Sequence, residues 1–214
     1  MQALPKHIFV TGIDTGVGKT LCSAILVKAL RADYWKPIQC GNLEESDSVH
    51  VKSLIQNPNT QIHPEAYRLK TASSPHYAAR VEGTKIDINR CVLPQTDNTL
   101  IVEGAGGLMV PLNDLECVVD LIDALNTPVI LVCRNYLGSI NHALLSINLL
   151  KQRAIPVLGL IFSGDNFLDN EQIIQHFGQI PVIGNIAEAA QVNSTFVTRQ
   201  AAGLRESVSK YYTL

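Results

Sequence analysis

The chain has 214 residues, 46% apolar and 17% charged, enough core-forming material for one large domain and too much for a disordered chain. A net charge of −2 without a dense Lys/Arg run excludes the basic footprint of a nucleic-acid binder. No apolar run approaches the roughly 20 residues a membrane span needs, and the five scattered cysteines suggest neither a disulfide framework nor a zinc site.

Met1–Lys6 carries no signal-peptide apolar region, so a cytoplasmic location is expected. His7–Ile13 reads as a strand. It runs into Gly12-Ile13-Asp14-Thr15-Gly16-Val17-Gly18-Lys19-Thr20, and Lys19–Arg31 follows with helical spacing. This strand–turn–helix layout suits a phosphate-binding loop: backbone N–H groups line a concavity, the helix N-terminus adds partial positive charge, Lys19 reaches the terminal phosphates and Thr20 offers a hydroxyl to Mg²⁺. Five residues separate Gly12 from Gly18, one more than the usual four.

Tyr34–Gln39 reads as a second strand, ending at Lys36-Pro37-Ile38-Gln39-Cys40-Gly41. Ser46-Asp47 can cap a helix running to Gln56, which leaves Asp47 open between a cap and a metal ligand. Ser73-Ser74-Pro75 starts a short helix. Thr99–Glu103 is a strand followed by Gly104-Ala105-Gly106-Gly107, and Val118–Leu125 is helical. Pro128–Cys133 is a strand, Gly138–Arg153 a long helix, and Ser139 can cap it. Strands at Pro156–Phe162 and Pro181–Ile186 flank a helix at Glu171–Phe177, and a last helix starts near Ser194.

Near-continuous apolar strands alternating with helices imply an α/β fold: one P-loop NTPase-like domain over residues 1–214, with a doubly wound, mostly parallel sheet covered by helices on both faces. Ligands in such sheets bind at the carboxyl ends of the strands, so the segments after the strands should meet on one edge.

The loop with its odd spacing, Lys36–Gly41, Ser73-Ser74-Pro75-His76, Val102–Gly107 and Leu137-Gly138-Ser139-Ile140-Asn141-His142 together closely resemble the dethiobiotin synthetase family. The resemblance implies an ATP-dependent, Mg²⁺-requiring ligase of biotin biosynthesis. Its substrate would be 7,8-diaminononanoate, with CO₂ entering as a carbamate that becomes a carbamic–phosphoric anhydride before the ureido ring closes. Nucleotide contacts are implied at Asp14, Thr15, Gly16, Val17, Gly18, Lys19, Thr20, Glu103, Gly106 and Ser163. Metal contacts are implied at Thr20, Asp47 and Glu103, and substrate contacts at Lys36, Cys40, Gly138, Ser139 and Asn141. Lys19 and Lys36 would carry the catalysis. Because the Gly138–Asn141 segment serves the neighbouring subunit in the family, a homodimer with shared sites is implied.

Three departures stand out. Cys40 replaces a usual Ser or Thr, Ser163 replaces an Asn that reads the adenine edge, and Gly184-Asn185-Ile186-Ala187 lacks a common proline. The competing class is a nucleotide-switch ATPase of the partitioning or positioning kind, which usually has a second lysine early in the loop where this chain has Gly12-Ile13-Asp14-Thr15.

Overall fold

The computed structural model describes residues 2–165 and 167–214, so Met1 of the leading segment lies outside it. In chain order the elements are β1 (Gln2–Ala3), β2 (His7–Gly12), α1 (Lys19–Leu30), β3 (Asp33–Trp35), β4 (Ile38–Cys40), α2 (Asp47–Ile55), β5 (Ile62–His63), β6 (Tyr67–Leu69), α3 (Pro75–Val81), β7 (Leu100–Gly107), α4 (Val118–Leu125), β8 (Val129–Arg134), α5 (Ser139–Gln152), β9 (Val157–Ser163), α6 (Leu168–Gly178), β10 (Val182–Ile186), α7 (Ser194–Ser209) and β11 (Tyr212–Thr213).

Seven strands form one sheet in the order β10-β9-β8-β2-β7-β3-β5, with every neighbouring pair parallel. Burial on both faces explains their composition: Ile8, Phe9, Val10, Leu100, Ile101, Val102 and Val129–Cys133 are all almost fully enclosed. The chain moves one way across the sheet from β2 to β3 and the other way from β7 to β8, β9 and β10. Right-handed crossovers then put the connecting helices on opposite faces. On one face α1 packs between α2 and α7; α5 and α6 pack together on the other. Sandwiched in this way, α1 is apolar nearly all round, with Cys22, Ala24, Ile25, Leu26 and Val27 buried. Among the described residues no helix is long and apolar enough to cross a membrane.

Two boundaries differ from the sequence reading in ways that shape the site. The expected strand Tyr34–Gln39 is broken in two: β3 stays in the main sheet, while β4 leaves it to pair with β6. Pro37 explains the break, since it has no N–H to give the ladder and biases the residue before it. Lys36 is left at the break, where its side chain turns inward. The strand expected to stop at Glu103 runs on through the glycines to Gly107, because Gly12 of β2 pairs with Gly107 across the ladder. A short parallel pair, β1 with β11, was not visible in the sequence pattern.

Candidate active site

The phosphate-binding loop closes the carboxyl end of β2. Close packing at its base demands glycine: a Cβ on Gly12 would meet Val17 Cγ2 at 2.5 Å. At its far end Gly18, with φ of 93°, is the N-cap of α1 in the left-handed region and offers no side-chain cap. The first N–H groups of α1 therefore have no side-chain partner from the cap, and Gly18, Lys19 and Thr20 line one crevice. Lys19 folds back so that Nζ donates to the Asp14 carbonyl at 2.9 Å, and the Asp14 carboxylate accepts from Thr15 N at 2.7 Å. Burial, followed by the nearby Lys36 ammonium, pushes the Lys19 pKa down to about 8, while Glu103, Asp47 and Asp14 oppose the fall.

Glu103 sits midway along β7, opposite Val10 of β2 in the ladder. Its Oε1 accepts from Thr20 Oγ1 at 2.8 Å and from Lys36 Nζ at 3.0 Å, and its Oε2 accepts from the Tyr34 hydroxyl at 2.9 Å. Lys36 Nζ also donates to the Gly104 carbonyl at 3.0 Å and lies 2.6 Å from Asp47 Oδ2. Burial works against the Lys36 charge, but the Glu103 and Asp47 carboxylates outweigh it and raise the lysine pKa. Asp47 shows the converse: its own burial is outweighed by Lys36, which holds the carboxyl below the usual range. Burial, with Glu103 beside it, drives the Tyr34 phenol well above its ordinary range, so it stays a neutral donor.

The helix end sets aside the cap reading of Asp47. Ser46 is the N-cap of α2, its Oγ accepting from Val49 N at 3.4 Å, and the Asp47 carboxylate is free to reach Lys36. Capping by Ser139 is overturned as well: Gly138 is the N-cap of α5, and the buried Ser139 Oγ has no hydrogen-bond partner.

One crevice of ≈ 740 Å³ gathers Thr15, Gly16, Gly18, Lys19, Thr20, Lys36, Cys40, Asp47, Glu103 and Gly106. Its cationic and acidic end lies against the loop, and its other lining includes Ile38, Ala72, Pro75 and Val110. Cys40 lines this crevice as a neutral thiol, because burial pushes its pKa up to about 11. Other expected site residues stand outside it. Val17 is buried beneath the loop. Ser163, at the end of β9, backs the loop so closely that a Cβ on Gly18 would fall 2.5 Å from its Oγ. Gly138, Ser139 and Asn141 open α5 and do not line the crevice.

The Lys36 ammonium lies between Asp47 and Glu103, so these two carboxylates converge on one positive charge. With the Thr20 hydroxyl they make an all-oxygen donor set, the chemistry of a hard divalent cation that keeps several waters or phosphate oxygens. Among the described residues no cluster of three or more His, Cys, Asp or Glu side chains is placed to hold a metal.

Comparison with known proteins now adds to the geometry. The AAA domain family matches residues 6–195. The ATP-dependent dethiobiotin synthetase BioD of Christiangramia forsetii is 49% identical over 203 residues, 95% of this chain and 98% of the relative. The chain belongs to the dethiobiotin synthetase family. The enzyme of the same name from Cytophaga hutchinsonii is 48% identical, covering 93% of this chain and 97% of its own length. Both the resemblance read from the sequence and the expectation of a ligase are met. Among solved structures, the septum site-determining protein MinD of Pyrococcus horikoshii, complexed with Mg-ADP, superposes with a TM-score of 0.61 over 98% of this chain and 97% of its own, at 16% identity. That likeness concerns the fold, and the P-loop NTPase architecture expected from the sequence is met.

Reading the sequence missed Tyr34, Gln39 and Arg134 as parts of the site. Gln39 ties the turn after β4 to the start of α2, Nε2 donating to the Gly41 carbonyl at 3.0 Å and Oε1 accepting from Asp47 N at 3.3 Å. Arg134 reaches the Gly16 carbonyl at 3.5 Å from the end of β8. For Tyr34 a signal existed: it stands two residues before Lys36, so strand alternation puts both on one side.

Proposed function

We propose that this chain uses ATP to carboxylate 7,8-diaminononanoate and close its ureido ring, producing dethiobiotin, ADP and phosphate. The names of its close relatives support the overall reaction. The observation that carries the chemistry is the sharing of one crevice by the Lys19 and Lys36 ammoniums.

In this reading one substrate amine takes up CO₂ as a carbamate. A carbamate oxygen attacks the γ-phosphorus of ATP, the bond to ADP breaks, and a carbamic–phosphoric anhydride remains. The second amine attacks its carbonyl carbon, phosphate departs, and the ring closes. Two anions must be brought together before the first transfer, so the protein's work is charge neutralisation and alignment. The loop N–H groups and Lys19 hold the phosphates, and Lys36 relieves the repulsion between carbamate and γ-phosphate. Ile38, Cys40, Ala72, Pro75 and Val110 take the methylene chain. Thr20, Asp47 and Glu103 would hold Mg²⁺. When bound, the ion supplies positive charge to the β- and γ-phosphate oxygens. Asp14, Thr15, Gly16, Val17, Gly18 and Gly106 complete the nucleotide contacts, with Ser163 at the β9 end.

The reading treats residues 1–214 as one domain in a cytoplasmic homodimer. Support for a partner comes from α5, where the Gly138–Asn141 segment stands outside the crevice and Leu137 and Leu145 are exposed. The test is direct: incubation with ATP, Mg²⁺, bicarbonate and the diamine should give the cyclic urea by mass spectrometry. Nucleotide hydrolysis that proceeds equally without the diamine, with no urea formed, would sink the proposal.

A further inference from the structure

Tyr34 is a fully buried phenol whose hydroxyl ends on Glu103, an acid that links Thr20 of the phosphate loop to the lysine at the strand break. Its backbone explains why it reaches that far. In the ladder Tyr34 of β3 is opposite Ile101 of β7, so the ring points along the face on which Glu103 stands one alternate residue further on. The hydroxyl takes Glu103 Oε2, while Thr20 and Lys36 both donate to Oε1. Each oxygen of the carboxylate thus has its own donors, and the plane of the group is fixed. Without the phenol, Oε2 would be a buried acceptor with no donor among these residues, and the carboxylate would turn toward Thr20 and Lys36 to satisfy it.

We propose that Tyr34 is a positioning residue that sets the orientation of the Glu103 carboxylate toward a divalent cation. The inference rests on the reading in which Glu103 holds that cation, and it adds a residue that works through Glu103 without touching substrate. Hydrogen-bond partners behind a metal-ligating carboxylate generally govern affinity as strongly as this, their loss costing about 10- to 100-fold.

Tyr34→Phe keeps the ring and its packing and removes only the donor. The measurement is Mn²⁺ affinity by electron paramagnetic resonance in the presence of ADP, for the wild type, Tyr34→Phe and Glu103→Gln, with thermal midpoints recorded alongside. The expected result is Mn²⁺ binding weakened about 10- to 100-fold in Tyr34→Phe, with the Mg²⁺ concentration needed for turnover rising in parallel and the KM for the diamine unchanged. If Glu103→Gln loses Mn²⁺ while Tyr34→Phe binds it as the wild type does, and only the midpoint falls, Tyr34 is a packing residue and the proposal is overturned. If Glu103→Gln itself leaves Mn²⁺ affinity unchanged, the metal reading of Glu103 fails first and takes this inference with it.

Discussion

Lys36 is almost wholly enclosed and pairs with the Glu103 and Asp47 carboxylates; in the proposed reaction it also serves the pair of anions in the crevice. Lys36→Met keeps much of the aliphatic stem and removes the charge. Deleting one such preorganised cationic contact commonly costs on the order of 10²- to 10³-fold in kcat, and that is the expected loss in single-turnover assays. Leaving two carboxylates side by side also destabilises the fold, since removing one partner of a buried ion pair costs about 3–5 kcal/mol. The thermal midpoint should therefore fall in EDTA and recover in part with Mg²⁺, which would neutralise the same two oxygens. A variant that folds normally and turns over at nearly the wild-type rate removes Lys36 from the mechanism.

Among the elements, β3 is the one whose placement most depends on side chains. Asp33, at its start, is 1% exposed and accepts from Gln61 N at 2.8 Å, Thr96 Oγ1 at 2.5 Å and Asn98 Nδ2 at 3.0 Å, with His63 Nε2 3.5 Å away. It ties the ends of three segments to the strand that carries Tyr34 and leads to Lys36. Burial raises its pKa, but the hydrogen bonds from Thr96, Gln61 and Asn98 and the nearby His63 prevail and hold the carboxyl below its ordinary value. A depressed folded pKa means stability that is present above the unfolded value of about 3.9 and lost as pH falls through the folded value. Asp33→Asn should cost about 1–3 kcal/mol at pH 7, and the gap from the wild type should close as the acid limb is entered. Urea titrations across pH read both. A gap that is constant down to the acid limb would mean that the carboxylate charge contributes nothing.

How much of this could be read from the chain alone follows from how local each feature is. The phosphate loop was legible because its chemistry is written in nine consecutive residues, from Gly12 to Thr20. Long strands such as β8, and helices such as α4 and α5, were legible because burial repeats along them. The β4–β6 and β1–β11 pairs were not: strands of two or three residues show no period, and their partners lie far away in sequence. Ser163 illustrates the same limit. Its contact with Gly18 depends on β9 standing two strands away from β2, which nothing near either residue encodes.

At the scale of the whole molecule, the question is whether one chain holds a whole site. Gly138, with φ of 99°, caps the N-terminus of α5; Asn141 and Leu145 stand four residues apart on one face of that helix, and Leu137 lies just before the cap. All three are exposed, Leu137 completely, which is an apolar and amide surface that suits a second copy of the chain. If the partner's α5 completes the substrate end of the crevice, Lys36 and Asn141 belong to the same site but to different subunits. Lys36→Met and Asn141→Asp proteins should then each be dimeric by light scattering and each be nearly inactive. Unfolded together, mixed in equal amounts and refolded, half the dimers would be mixed, and each mixed dimer would contain one site with both residues intact. Activity should return to about a quarter of the wild-type value. A mixture that stays as inactive as its parents, with mixed dimers demonstrated by a tag on one of them, would mean that each chain builds its site alone.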